Sequence, residues 1–304
     1  MGQKDITEKI LADYNDVFAD IVNVLLFEGK QVVDPNALES VKDKSQYKAQ
    51  GKIHEEERDV SKVVKNHQRI RITFLGLEHQ TEVDKDEPFR VIGYDGASYR
   101  AQLLSDSKER YPVVTLVLYF GMTRWNKATS LFESLEISDE WKPFVNDYKI
   151  NLFEIAFLKP EQVDKFQSDF RIIADYLVQK RMNNDYVPSR EELKHMDEVL
   201  KLMSVVAEDE RFEDVQKDLH KEGGAKNMCD VLDRIENKGR IEGKIEGKIE
   251  GKIEGKIEGK IEGKIEGKIE AYYDDGKSVE EIAYKVGISA HEVEAIMDAL
   301  NLRK

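Results

Sequence analysis

The chain has 304 residues, of which 40% are hydrophobic, and a formal net charge of −14. That length suits one large domain with appendages, and the apolar fraction argues against wholesale disorder. The acidity argues against a non-specific coat on nucleic acid, which works by neutralising phosphates, yet it suits a metal site built from carboxylates.

In chain order, residues 7–26 read as a helix, with Ile10, Val17, Ile21 and Leu25 on one face and Asp13, Asp16 and Asp20 on another. Residues 59–64 read as a short strand and 69–80 as a longer one, separated by the polar turn Lys65-Asn66-His67-Gln68. A helix over 88–104 opens at Pro88. The apolar run 112–120, closed by Gly121, reads as a strand buried on both faces. A strand over 148–158 and a helix over 160–182 follow. Ser189 and Glu192 form a capping box for a helix through Leu193, Met196, Val199, Leu200 and Met203. This order predicts an α/β domain over 1–205, followed by an acidic connector and short helix over 206–240.

Residues 241–268 are seven perfect copies of Ile-Glu-Gly-Lys. As a helix, the repeat places Ile opposite Gly, with Glu and Lys on the two flanks. Each Gly costs about 1 kcal/mol relative to Ala, so an isolated helix is marginal. Two parallel copies burying their Ile stripes would bring the Glu flank of one against the Lys flank of the other. Two readings stand for 241–270: a self-association helix that makes a homo-oligomer, or a solvated linker. Residues 271–304 form a small helical unit with a capping box at Ser278 and Glu281. It has the outline of a helix-turn-helix, but its second helix carries Glu292, Glu294 and Asp298 with no base before Arg303, which suits protein contact better than base reading.

The candidate chemistry lies at Asp59 and at Leu77-Glu78-His79-Gln80. Alternation on a strand puts Glu78 and Gln80 on one face. A hairpin from 59–64 into 69–80 can bring Asp59 beside Glu78, giving a hard-oxygen site for Mg²⁺, which would activate water and polarise a phosphate. Gln80 can hold a water or a phosphate oxygen but is neither cation nor base. Arg90 and Tyr94 share a helical face; Arg90 could grip a phosphate or pair with Glu87. Tyr94 and Tyr99 read as structural, and Glu82, Asp84, Asp86 and Glu87 as a solvated acidic loop in preference to a second metal site.

Taken together, Asp16-Val-Phe-Ala-Asp20, Asp59-Val60, Leu77-Glu78-His79-Gln80, then Arg90, Tyr94, Tyr99, Gln102 and the run Tyr111 to Gly121 resemble the recombination-promoting nuclease family, also called YhgA-like transposases. The resemblance covers about residues 7–235 plus the repeat tail. It implies a restriction-endonuclease-like α/β core of the PD-(D/E)XK superfamily and a magnesium-dependent DNA endonuclease that promotes recombination. The superfamily's acidic pair falls on Asp59 and Glu78, and its Lys position on Gln80. A further acid from the first helix would be Asp16 or Asp20. The alternative is a weakly active or inactive nuclease-fold regulator that binds DNA or protein and oligomerises through the repeat.

Other chemistry has little support. No phosphate-binding P-loop pattern is present, and six scattered histidines with one cysteine make no zinc spacing. Cys229 reads as buried and inert, without a nearby His. No apolar run reaches the length of a membrane span, and the start of the chain, with Lys4, Asp5 and Glu8, lacks a signal-peptide pattern. A cytoplasmic location is therefore expected.

Overall fold

The structure, a computed structural model, describes residues 11–41, 44–49, 52–57, 60–65, 69–77, 86–219 and 224–302. It forms two compact units, Met1–Ile235 and Glu236–Lys304. No helix among the described residues is long and apolar enough to cross a membrane.

The first unit is an α/β domain around a mixed five-stranded sheet. Its strands are β1 (Leu38–Ser40), β4 (Val60–Lys65), β5 (Arg69–Leu77), β6 (Val113–Tyr119) and β7 (Asn151–Glu154), in the spatial order β1-β4-β5-β6-β7. The pairs β1/β4 and β4/β5 are antiparallel, whereas β5/β6 and β6/β7 are parallel. A separate antiparallel hairpin joins β2 (Lys44–Ala49) to β3 (Lys52–Glu57).

Alternation along the strands builds two unequal cores. Val60, Val64, Ile72, Phe74, Leu116 and Leu118 share the larger one with α1 (Asn15–Phe27), α5 (Phe170–Asn183) and α6 (Met196–Val206). Phe18 of α1 stacks on Phe74 with ring centroids 4.2 Å apart. On the opposite face, Leu75 and Val117 meet Val91 and Tyr94 of α2 (Glu87–Leu104). This smaller core contains a polar row. Ser61, Thr73 and Thr115 are register neighbours across three strands. The Ser61 and Thr73 hydroxyls lie 3.1 Å apart, Arg71 Nε donates to Ser61 Oγ at 2.9 Å, and Thr115 donates to buried Asp95 at 2.5 Å. Tyr148 also donates to Asp95. Burial, reinforced by that carboxylate, raises the Tyr148 pKa. Between β6 and β7 lies the short α3 (Leu131–Leu135), whose first turn is closed by Ser130 Oγ accepting from Glu133 N.

Several elements end differently from the sequence expectation. Residues 11–12 are helical, residues 13–14 interrupt the expected helix as a turn and bend, and it resumes over Asn15–Phe27, which Glu28 and Gly29 leave in the left-handed region. The expected strand over 148–158 is strand only over Asn151–Glu154, then a single 3₁₀ turn, Ile155–Phe157. The expected helix over 160–182 is split into α4 (Pro160–Val163) and α5. The break has a chemical cause: the Asp20 carboxylate accepts from the amides of Gln167 at 2.9 Å and Ser168 at 2.7 Å. Those amides therefore face a side chain rather than the carbonyl ladder of a continuous helix.

Ser189 does not open the following helix; its hydroxyl accepts from Glu191 N, two residues on. The helix starts at Met196, and Asp169 accepts from the amides of Lys194 at 2.8 Å and His195 at 2.6 Å just before it. The region expected to be a connector contains α7 (Arg211–Asp218), which puts Phe212 and Val215 into the main core. The short helix expected near 228–235 is the beginning of α8 (Met228–Asp274), 47 residues long, which runs through the whole repeat.

In the second unit, Ile269 at the end of α8 packs with Ile282 and Ala283 of α9 (Val279–Val286) and Val293 and Met297 of α10 (Ala290–Ala299). Ser278 and Glu281 cap α9 reciprocally, and Ser289 and Glu292 cap α10 in the same way. Ile241, Ile245, Ile249, Ile253, Ile257 and Ile261 remain 53–56% exposed along the repeat.

Candidate active site at the carboxyl edge of the sheet

Asp59, Glu78 and Gln80 lie outside the described residues, as do His79, Glu82 and Asp84. Their described neighbours in the chain, Val60 and Leu77, are the first residue of β4 and the last of β5. These two strands are hydrogen-bonded partners, with Val60 opposite Phe74. Leu77 is also in register with Tyr119, the last residue of β6, and Tyr119 with Glu154, the last residue of β7. Three parallel strands therefore finish in one row. In open α/β sheets, ligands bind outside such carboxyl ends.

The segment after β6 is pinned onto this edge by interactions that a simple loop lacks. Tyr119 is buried, and its ring meets Trp125 edge-on at 5.3 Å. Gly121 has no room for a side chain, because a Cβ there would lie 2.2 Å from the Tyr119 ring and hydroxyl. The Glu154 carboxylate accepts from Trp125 N at 2.8 Å and from Arg124 Nη1 at 2.7 Å. Arg124 also lies over the Phe157 ring at 4.1 Å, and Arg181, from the last turn of α5, lies over the same ring at 4.9 Å. Arg181 Nε donates to the Ala156 carbonyl at 2.6 Å. Glu154, Arg124, Phe157 and Arg181 thus form one ladder, drawn from a strand end, a loop, a 3₁₀ turn and a helix.

The other sequence candidates have definite partners. Asp16 faces His195, with both carboxylate oxygens 3.2 Å from Nε2, and Lys194 Nζ is 4.0 Å away. The His195 ring stacks on Tyr14 at 3.7 Å. Asp20 is buried and holds the two backbone amides that break the α4–α5 helix. Both first-helix acids are therefore engaged with protein groups. Arg90 pairs with Glu87 at 2.8 Å, and Glu87 is only 1% exposed, so this acid is not part of a solvated loop. Burial works against the Arg90 charge, but Glu87 and Tyr94 more than offset it and raise the guanidinium pKa. The Arg90 side chain is still 40% exposed.

Tyr94 packs in the smaller core, and Tyr99 accepts from Val113 N at 3.1 Å. Gln102 bonds both ways with the Tyr111 backbone. These three are structural. Cys229 is half-buried and donates to the Pro188 carbonyl.

Among the described residues, no group of three or more His, Cys, Asp or Glu could hold a metal ion. Sequence reasoning missed Glu154, Arg124 and Arg181. Their only local signal was a basic residue next to Trp125, shortly after the Gly that closes an apolar strand.

The family model described as "Putative transposase, YhgA-like" matches residues 22–211, well over half of the chain. No curated protein and no solved structure matches.

Proposed function

We propose, from the premise that this chain belongs to the YhgA-like transposase family, that it is a magnesium-dependent DNA endonuclease that promotes recombination. The observation that carries this reading is the family match, whose span, 22–211, contains Asp59, Glu78, Gln80 and Arg90 together. Membership itself supports a role on DNA; the reaction and its metal are our reading.

The donor chemistry suits the metal. Two carboxylates and an amide oxygen are hard ligands of the kind Mg²⁺ takes. When bound, the ion would supply Lewis-acid polarisation of the phosphate and activation of water. Asp59 and Glu78 would hold it, and Gln80 would orient water or a phosphate oxygen by hydrogen bonds. Support comes from chain connectivity: Asp59 is bonded to the first residue of β4 and Glu78 to the last residue of β5, on adjacent paired strands. A mixed sheet with helices on both faces fits a restriction-endonuclease-like core. Arg90, partly exposed at the start of α2, is a candidate phosphate ligand.

The test is a supercoiled-plasmid nicking assay with and without Mg²⁺, comparing wild type with Glu78→Gln. Nicking that requires the metal and disappears in the variant is expected. Equal nicking by the variant would remove the site.

A second reading is a nuclease-fold regulator with little or no catalysis that oligomerises through 241–270. What favours it is the exposed Ile stripe of α8. Parallel pairing of two repeats would cover that stripe and bring opposite charges together along both flanks.

A further inference from the structure

Gln80 leaves the proposed site short of a positive charge, because an amide cannot offset charge developing on a phosphate as a Lys would. Cations on neighbouring elements of the same sheet edge can make up that deficit. We propose that Arg124 and Arg181, gathered on the Phe157 ring, form a clamp for DNA backbone phosphates at the carboxyl edge of the sheet. This inference rests on the DNA-cleaving reading above and names the protein's grip on its substrate.

Three observations support the clamp. The first is placement. Arg124 is tied to Glu154, the last residue of β7, whose register partner is Tyr119, itself the partner of Leu77. Glu78 is the next residue in the chain. The second is geometry. Both guanidinium groups lie over the Phe157 ring, at 4.1 and 4.9 Å from its centre, and a guanidinium held against a ring still has N–H donors to offer an oxyanion. Arg124 is further steadied through Nη1 by Glu154, and Arg181 through Nε by the Ala156 carbonyl, so both forks are oriented before a ligand arrives.

The third is charge. Glu154 neutralises Arg124 in part. Arg181 has no carboxylate partner among the described residues, so the ladder keeps a net positive charge. The Arg124 side chain is 66% exposed, so a phosphate can reach it. In an acidic chain, a local cationic edge of this kind gives a polyanion a specific place to land.

The experiment is duplex binding by fluorescence anisotropy, with the full chain, a labelled DNA duplex, chelator in place of metal and several salt concentrations. Wild type is compared with Arg124→Gln, with the double variant Arg124→Gln/Arg181→Gln, and with Arg171→Gln as a control. Arg171 pairs with Asp164 and Glu191 and has no part in the ladder. The double variant should bind about tenfold or more weakly, and its slope of log affinity against log salt should shrink by about 0.9 for each phosphate no longer neutralised. Arg124→Gln alone should show part of both effects, and the control should show neither. If the double variant unfolds, the exposed Arg124→Gln carries the test.

Unchanged affinity and slope in the variants would overturn the clamp. Because no metal is present, its failure is distinct from that of the nuclease reading. A wild type that binds duplex through these arginines yet never nicks plasmid would sink only the endonuclease. A wild type with no duplex affinity in chelator would sink the clamp alone, because the endonuclease reading is decided by nicking with Mg²⁺.

Discussion

At the scale of single residues, the domain depends on buried polar groups that each have a definite task. Lys62 of β4 is the extreme case. Its side chain is 1% exposed, and its ammonium donates to the Asp13 carbonyl at 2.5 Å, Asn15 Oδ1 at 2.7 Å and Ser40 Oγ at 3.2 Å. It joins the start of α1 to the first strands of the sheet. Burial lowers its pKa from the ordinary 10.5, while the nearby Asp13 carboxylate partly restores it. Between the folded and unfolded pKa values, the folded state holds fewer protons on this group, so its contribution to stability rises with pH. The stability gap between wild type and Lys62→Met, measured by urea denaturation, should therefore shift in favour of wild type as pH climbs toward 10.5. A gap that does not change with pH would contradict the assignment.

Among the elements, regular periodicity was easy to read and long-range capping was not. The helix Glu87–Leu104 and the strand Val113–Tyr119 fall within one residue of the expectation, because apolar spacing and a Pro or Gly boundary are local signals. The break between α4 and α5 was hidden, since the acid that causes it, Asp20, lies 147 positions from Gln167. The start of α6 is hidden for the same reason: Ser189 offers a local capping motif, but Asp169 holds the amides. Of the candidate site, Asp59 and Glu78 lie outside the described residues, so what the sequence offers is their place in the chain, next to the first residue of β4 and the last of β5. The Arg124–Phe157–Arg181 ladder was not legible, because it forms only when a loop, a 3₁₀ turn and a helix end converge.

The repeat tests propensity directly at this scale. A Cβ added at Gly243, Gly247, Gly251, Gly255 or Gly259 would meet nothing within 4 Å, so no neighbour in the structure requires glycine there. Gly247→Ala and Gly255→Ala should each stabilise the helix by about 1 kcal/mol. The readout is helical ellipticity of the full chain during thermal melting. A loss of helix would show that a neighbour packs against the glycine face.

For the molecule as a whole, two functions sit in two separate compact units: the proposed DNA chemistry in Met1–Ile235 and the proposed self-association in the repeat of Glu236–Lys304. Removing residues 241–268 should lower the mass in solution to that of a monomer if the Ile stripe joins one copy to another. An unchanged mass, read by light scattering, would return the repeat to the role of linker. In the first unit, the deciding measurement is the Mg²⁺-dependent nicking rate of Asp59→Ala against wild type, with matched urea midpoints and duplex affinities. The variant is expected to stay folded, still bind DNA and no longer nick it. Nicking at the wild-type rate by folded Asp59→Ala would contradict the proposed site.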